Sequence, residues 1–576
     1  MPQTNTSGPR WVLLETGSNQ KYIFSTTKQR LQVAASAAIW SLGYVWVKEV
    51  AQSVADDHGC AFYNALAEIE DYFSGPTSGA DAIVHVVEAS GKAYLLVPTR
   101  EVGEEIISGI TLRAIKERTG IDVWGVVSDP LKADFSDAAD RLREANINLE
   151  AQRYKRTPPV VTDPATPFHA RCSYTNEVAT TRAPETRKDS EGFLRSARVD
   201  YLFNSVTDAR KRLEDKLIQD SGGSKDKFER ALLQIKDLDQ GLTASSWVGV
   251  IHADGNGVGK IFLNLAEVKA NDPASSRPGV DFIVSEARLS RGLEAITWKA
   301  FGRTVDDVVG DMENCLLPVI VGGDDVVVMV SGKIAVRFAV ELTRNFQRIA
   351  LDEKDPDARE FKKVFADIDR VLGAPGGNVD ENQNAKNLSM AAGVLLTKIK
   401  HPFHHSVDVA EALTSLAKNR TRAQSSVAVH VLYEPSLRPL SQLREDASIN
   451  GACYAAQPLV AEGEGIGTAA ELFDMMEHLR AGEDGVSHGV MGLFREALTE
   501  SSSVTEAANK VQIAKNRAKD LGMRSKLGII ESIAVDTSGD GNNLYAESSP
   551  TTFITAMELV DVNEAESAGA DSEEEQ

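Results

Sequence analysis

The sequence predicts an α+β protein in which one β-α-β-β-α-β unit occurs twice, joined by a helical connector and followed by an all-helical C-terminal domain. Three observations carry this. Strand-like runs and helically spaced apolar residues follow one another in the same order over residues 11–151 and again over 247–433. A Pro- and Thr-rich stretch, Thr157–Arg187, separates the two copies. From Arg438 to about Val535 the apolar spacing is helical throughout.

In the first copy Trp11–Thr16 and Lys21–Phe24 read as short strands, and Thr27–Ser53 as a helix on Leu31, Ala34, Ala35, Ala38, Ile39 and Leu42. Ala82–Val87 and Tyr94–Val97 form a hairpin around Glu88–Lys92, followed by a helix (Glu101–Glu117), a strand (Asp122–Val127) and a helix (Ser136–Ala151). The connector is helical over Val206–Asp239. In the second copy Trp247–His252 is a strand, Val284–Phe301 a helix, and Leu316–Val321 with Val326–Val330 a hairpin. Lys333–Ile349 is an amphipathic helix, and Asp352–Asn384 is a charged insertion. Met390–Leu396, Val407–Lys418 and Val427–Tyr433 give strand, helix and strand, and Ala469–Leu479 and Val504–Leu521 are helices of the last domain. Each copy is expected to place its helices on one face and its first and second strands side by side in the middle of the sheet. The expected boundaries are 1–156, 157–243 (linker and connector), 244–436, 437–535 and 536–576 (polar loop and acidic disordered tail).

Charge narrows the function. The 576 residues carry 62 basic and 84 acidic side chains, a net charge of −22, which excludes a broad basic face for duplex nucleic acid. Seven acids and no base fall between Val560 and Gln576, so that tail reads as solvated. The four cysteines (Cys60, Cys172, Cys315, Cys453) form no C-x-x-C pair, which fits a reducing compartment. No signal-like or membrane-spanning run is visible, so a cytoplasmic location and no membrane partner are expected.

The chemistry concentrates in the second copy. The strand ending His252-Ala253-Asp254 delivers a carboxylate before the loop Gly255-Asn256-Gly257-Val258-Gly259, and the hairpin tip Gly322-Gly323-Asp324-Asp325 delivers two more. Such acids repel one another unless a hard divalent cation joins them, and Mg²⁺ takes one or two carboxylates plus phosphate oxygens. Gly322 and Gly323 permit a tight turn and leave room for a triphosphate or base. Other patterns fail. Gly255–Lys260 lacks the Gly and the Ser or Thr of a phosphate loop, since Asp254 and Ile261 stand there. Asp536–Glu547 follows calcium-loop spacing but has Asn543 at the aliphatic position. His401, His404 and His405 read as loop histidines near the site.

These residues resemble the palm domains of nucleotidyl cyclases and polymerases, and most closely the large palm-domain subunit of type III CRISPR effector complexes and its stand-alone relatives. The resemblance rests on Asp254–Gly259, on the GGDD of Gly322–Asp325, and on Gly393-Val394-Leu395-Leu396 running through Phe403-His404-His405 to Ala417-Lys418. The first copy is similar to the family's degenerate palm through Gly17–Phe24 and Ser90–Pro98. It implies two ferredoxin-like palm domains, with Asp254, Asp324 and Asp325 as catalytic metal ligands for Mg²⁺ or Mn²⁺ and the Gly255 carbonyl as a further oxygen. Lys418 is implied as a phosphate contact, with Lys260 as the alternative, and Gly255, Asn256, Gly322 and Gly323 lie against the nucleotide. Asn256 replaces an acid often found there and keeps an amide for a base or ribose. No His-Asp pair occurs, so the family's HD nuclease is not expected, and lone Cys172 cannot hold zinc. The first copy, without an acid at its tip, is expected to be non-catalytic while lining the nucleotide of the second.

The activity implied is conversion of ATP into a cyclic oligonucleotide second messenger in CRISPR-type antiviral defence. The alternatives are a stand-alone cyclic dinucleotide synthase and a nucleotide-binding scaffold of an RNA-guided complex. The implied partners are ATP together with guide RNA-protein effector subunits or a second copy of the chain.

Overall fold

The computed structural model describes residues 8–75, 81–155, 168–183, 193–221, 225–233, 247–362 except 271, 273, 274, 353 and 360, 388–501 except 447, 450, 451, 454 and 480–486, 503–520, and 549–573. The polar stretch with calcium-loop spacing, Asp536–Glu547, and residues 363–384 of the charged insertion lie outside the described residues.

The first unit opens with β1 (Arg10–Thr16) and α1 (Asn19–Ile23). Lys21–Phe24, expected as a strand, therefore lies mostly in a helix: Tyr22 and Ile23 point into the core as neighbours on a helical turn. α2 (Gln29–Ser41) runs through a wider π turn (Leu42–Trp46) into α3 (Val47–His58). Then follow β2 (Ala61–Tyr63), α4 (Leu66–Ser74), β3 (Ala82–Ala89), β4 (Lys92–Val97), α5 (Arg100–Lys116), β5 (Val123–Val127) and α6 (Ala138–Lys155). Thr99 caps α5, its hydroxyl accepting the Val102 amide at 3.2 Å. The sheet order is β2-β3-β4-β1-β5.

In the connector a short pair, β6 (Thr181–Arg182) and β7 (Leu194–Arg195), precedes α7 (Ala197–Ser221) and α8 (Lys225–Ala231). The second unit contains β8 (Trp247–Gly255), α9 (Val258–Ala270), α10 (Pro278–Val308), β9 (Leu316–Gly322), β10 (Asp325–Ser331), α11 (Ala335–Leu351), β11 (Met390–Lys398), α12 (Phe403–Arg420) and β12 (Ser426–Val431). Pro278 opens α10 at its first turn, where a missing amide hydrogen costs nothing. In both sheets the first strand pairs with the second arm of the hairpin: β1 lies beside β4 and β8 beside β10, antiparallel. The expectation that the first strand adjoins the first arm of the hairpin is corrected accordingly, because that arm, β3 or β9, lies on the far side of its partner.

Helices cover both faces of both sheets. Val12, Leu14, Leu95 and Val127 pack with α3 and α5, while Trp11, Leu13 and Val126 face α2 and α6. Burial on both sides explains why these strands read as continuous apolar runs. In the second unit α12 crosses from β11 to β12, which pair in parallel, and adds a helix to the face opposite α11.

The two units touch through α10. Its Arg291 guanidinium donates to the carbonyls of Val86 at 2.7 Å, His85 at 2.8 Å and Asn64 at 3.0 Å, and Arg288 meets Glu70 at 2.6 Å.

Beyond the second unit come α13 (Leu440–Asp446), a small hairpin of β13 (Ser448–Ile449) and β14 (Ala452–Cys453), and β15 (Leu459–Val460), which pairs with β12. The C-terminal part is thus not all helical, since it holds a hairpin and its β15 extends the second sheet. α14 (Ala469–Leu479), α15 (His488–Thr499) and α16 (Val504–Asp520) follow, then α17 (Ser549–Glu573). α17 corrects the expected disordered tail: Phe553, Ile554, Met557, Leu559, Val560 and Val562 are buried, and Arg495 meets Asp561 at 2.5 Å. The acidic count of the final residues conceals the apolar run just before them. Among the described residues no helix is long and apolar enough to cross a membrane.

Phe553 is fully buried and edge-on to Phe494, 5.4 Å between centroids. Phe553→Ala is expected to cost about 3–5 kcal/mol and to lower the thermal midpoint; an unchanged midpoint would remove α17 from the core.

Candidate functional site

The site forms where β8 ends between β10 and β11. Asp254 is the register partner of Asp325 on β10, so the 70 residues between the two acids close to a direct cross-strand pair. His252 and Asp254 alternate on the face covered by α12. There His252 Nδ1 lies 3.0 Å from Thr414 Oγ1, and Thr414 donates to the His252 carbonyl at 2.8 Å. One turn further along α12, Lys418 Nζ reaches Asp254 Oδ2 at 2.5 Å and donates to the Gly255 carbonyl at 3.1 Å.

Asp324 sits on the turn and rests over Gly255, whose amide donates to the Asp324 carbonyl at 3.2 Å. A Cβ at position 255 would come within 2.9 Å of the Asp324 Cβ, so the strand must end in glycine there. Gly323 takes φ +61°, the left-handed region the turn requires, with open space where a side chain would project.

The carboxylates disturb one another. Burial, then the negative charges of Asp254 and Asp325, pushes the Asp324 pKa upward. Burial and the charges of Asp254 and Glu411, opposed by Lys418, raise Asp325 to about 7. Asp325 nevertheless keeps 37% of its side-chain surface exposed while its Oδ1 is buried without a hydrogen-bond donor. His252 Nε2 is 3.3 Å from that oxygen but lacks hydrogen-bonding geometry, and burial lowers the imidazole pKa. An orphaned carboxylate oxygen beside two further acids suits a hard cation. Among the described residues no three His, Cys, Asp or Glu side chains already converge as a metal cage. The fit is therefore to an ion held by one or two carboxylates and completed by phosphate oxygens and water.

Two residues that sequence reasoning missed hold the turn. Glu294 Oε2 accepts the Gly323 amide at 2.7 Å while its Oε1 accepts the Trp298 indole at 2.9 Å, and Thr297 donates to the Gly323 carbonyl. A Cβ on Gly322 would lie 3.2 Å from Glu294 Oε2, which explains the first glycine of the pair. The available signal was a Glu at helical spacing among the apolar residues Leu289, Leu293 and Ile296 of α10.

Some expectations are not met. Asn256 is 1% exposed, and its amide donates to Ser389 Oγ at 2.9 Å and towards the Gln424 carbonyl at 3.4 Å. It pins the loop after β8 instead of facing a ligand. Lys260 is exposed on α9. His404 and His405 lie in the first turn of α12, with Lys418 near its other end, about 20 Å away at the helical rise. His401 is buried, bonded to Ser406 Oγ at 2.7 Å and the Ser436 carbonyl at 3.0 Å. None of the three histidines is near the acids.

A cavity of about 610 Å³ opens beside Asp324 and Gly323. Its walls come from both units: Lys92, Tyr94, Arg143 and Asn146 from the first, and Val258, Phe262, Phe282 and Glu286 from the second. The first unit thus lines the same cavity as Asp324, although its own tip carries Ser90 and Gly91.

Residues 247–427 match the family described as Cas10/Cmr2, second palm domain. The second unit is a Cas10-like palm domain. No curated protein matches the chain. Solved structures similar to it include a Csm1-Csm4 cassette in complex with cA4, at 12% identity and TM-score 0.48, covering 96% of this chain and 70% of that one. Csm1 in T. onnurineus matches with the same identity, coverage and score. A Csm1-Csm4 cassette in complex with one ATP matches at 12% identity and TM-score 0.45, with the same coverage.

Glu294→Ala removes the acceptor of two buried donors and is expected to cost about 2–3 kcal/mol in chemical denaturation. The Gly323 amide should also lose protection from hydrogen exchange; retained protection would show that Glu294 does not hold the turn.

Proposed function

We propose that the chain is a divalent-metal-dependent nucleotidyl cyclase that joins ATP into a cyclic oligonucleotide, a second messenger in CRISPR-type antiviral defence. The observation that carries the reading is the acidic sheet edge, where Asp254 pairs with Asp325 and the neighbouring Asp324 lines a cavity built by both units. The match to the Cas10/Cmr2 second palm supports it.

Asp254, Asp324 and Asp325 would hold Mg²⁺ or Mn²⁺, which when bound activates a ribose hydroxyl and neutralises triphosphate charge. The reaction forms a P–O bond between that hydroxyl and the α-phosphorus of a second nucleotide and breaks the α–β anhydride. Pyrophosphate leaves, and the hydroxyl proton passes to solvent.

The chain's own contribution is position and charge. Lys418 compensates Asp254, and its ammonium would turn to a phosphate arriving at that acid. The bare Gly323 leaves space for the triphosphate above the turn, and Glu294 with Thr297 keeps that turn from moving. The apolar wall of Val258, Phe262 and Phe282 excludes water from the bound base. The net charge of −22 suits contacts with protein subunits better than an extended hold on RNA, so RNA-guided effector subunits are the proposed macromolecular partners.

Purified protein with ATP and Mg²⁺, with target RNA supplied where turnover requires it, is expected to yield a cyclic product by mass spectrometry. Chelation of the metal and the double change Asp324→Ala, Asp325→Ala should each abolish it, and product persisting in the double variant would sink the site assignment. The mass of the product separates a cyclic dinucleotide from larger rings, and nucleotide binding without turnover would favour a scaffold. Lys418→Ala should raise the KM for ATP by roughly tenfold or more, as expected for loss of a charge-assisted contact; an unchanged KM would remove Lys418 from the phosphate site.

A further inference from the structure

We infer that the open edge of the first sheet is a docking slot for an extended segment of a partner protein, which joins the sheet as a further strand beside β5. Among the described residues β5 pairs with β1 alone, so its outer N–H and C=O groups face the slot without a backbone partner. The other sheet edges are guarded: β2 has three residues, β9 carries Pro318, and β15 has two residues. β5 reads Val123-Trp124-Gly125-Val126-Val127, with no proline, charge or bulge to discourage pairing. It forms the edge away from β3, against which α10 is tied, so the slot is separate from the nucleotide cavity.

The slot has the size of one strand. α5 and α6 wall a volume of about 760 Å³ along β5. A strand in a packed sheet occupies about 160 Å³ per residue, from a rise of about 3.4 Å, a strand spacing of about 4.8 Å and a layer spacing of about 10 Å. The space therefore takes about five residues, the length of β5. A second copy of the chain does not fill it, because its β5 lies between its own α5 and α6 and the helices would abut before the strands met.

The walls dictate which side chains the strand carries, since these alternate between the two faces. On the α5 wall stand Ile107, Leu112 and Ile115, the last two 47% and 67% exposed. The α6 wall presents Asn148 and Gln152. The segment is therefore apolar towards α5 and polar towards α6. Charge fixes its ends. At the Val127 end Glu104 and Asp129 face a single guanidinium, Arg100, which is 3.6 Å from each. At the Val123 end Arg153 holds the last turn of α6 to Glu15, the register partner of Trp124, and Lys155 follows, exposed and without a partner among the described residues. A segment antiparallel to β5 thus begins with a base beside Asp129 and ends with an acid beside Lys155.

The probe is the peptide Lys-Val-Thr-Val-Thr-Val-Glu, labelled for fluorescence anisotropy and added to the full chain. It should bind saturably and slow hydrogen exchange along β5; no saturation up to about 1 mM peptide overturns the inference. Two N-methylated forms carry their methyl groups on alternate residues. The set facing β5 should abolish binding and the set facing solvent should leave it, whereas equal effects overturn pairing through the backbone. Ile115→Glu, at an exposed site, should weaken binding by about tenfold or more at an unchanged thermal midpoint, and wild-type affinity in that variant overturns the slot. The peptide Glu-Val-Thr-Val-Thr-Val-Lys should bind about two- to tenfold more weakly, and Asp129→Lys with Lys155→Glu should reverse the order; an unchanged order overturns the assigned ends. Two results would give the slot to another occupant and overturn a partner protein: a dimer by light scattering that Ile115→Glu makes monomeric, or peptide binding that appears only when residues 156–167 are replaced by a Gly-Ser linker.

Discussion

The arrangement depends on one helix that answers to both units. On α10, Arg291 ties down three carbonyls of the first unit, and Glu294, less than one turn away, accepts the amide of Gly323 at the tip that carries the acids. Charge-assisted hydrogen bonds of this kind contribute about 1.5–3 kcal/mol each, and losing one partner strands the others away from water. The cavity exists because α10 cannot leave one sheet without leaving the other. The geometry of a turn in one unit is thereby fixed by backbone carbonyls in another.

At the sheet edge the local physics runs against stability. Among the described residues Asp254, Asp324 and Asp325 act on one another with Lys418 as the compensating ammonium, Asp324 and Asp325 have raised pKa values, and an oxygen of Asp325 has no donor. A core assembled for stability alone would not leave such a debt. Strain of this sort gathers where a ligand completes the electrostatics, which is why the same few residues bear both the discomfort and the proposed chemistry.

Much of this was legible in the sequence, and what was not has identifiable causes. The twofold β-α-β-β-α-β order was readable because long buried strands and amphipathic helices such as α11 have distinct periods. The closeness of Asp254 to Asp325 was readable because both lie at strand ends in glycine-rich company. Short elements were not: in Lys21–Phe24 four residues cannot separate a strand from one helical turn, and α9 hid behind the glycine loop. The tail misled because its acids outweighed the apolar run from Phe553 to Val562. Glu294 and Asn256 act through tertiary partners, Gly323 and Ser389, that no local pattern reveals. The histidines misled because nearness to α12 in sequence is not nearness to its far end.

The two hairpin tips differ in a way that reaches beyond their acids. Gly323 opens to free space, whereas a Cβ at Gly91 would strike Thr16, Ile39 and Asn19 at 2.3, 2.7 and 3.0 Å. The first tip is plugged from within by its own strand and helix. Grafting acidic residues there would therefore not create a second centre, because the volume a triphosphate needs is already occupied by the chain.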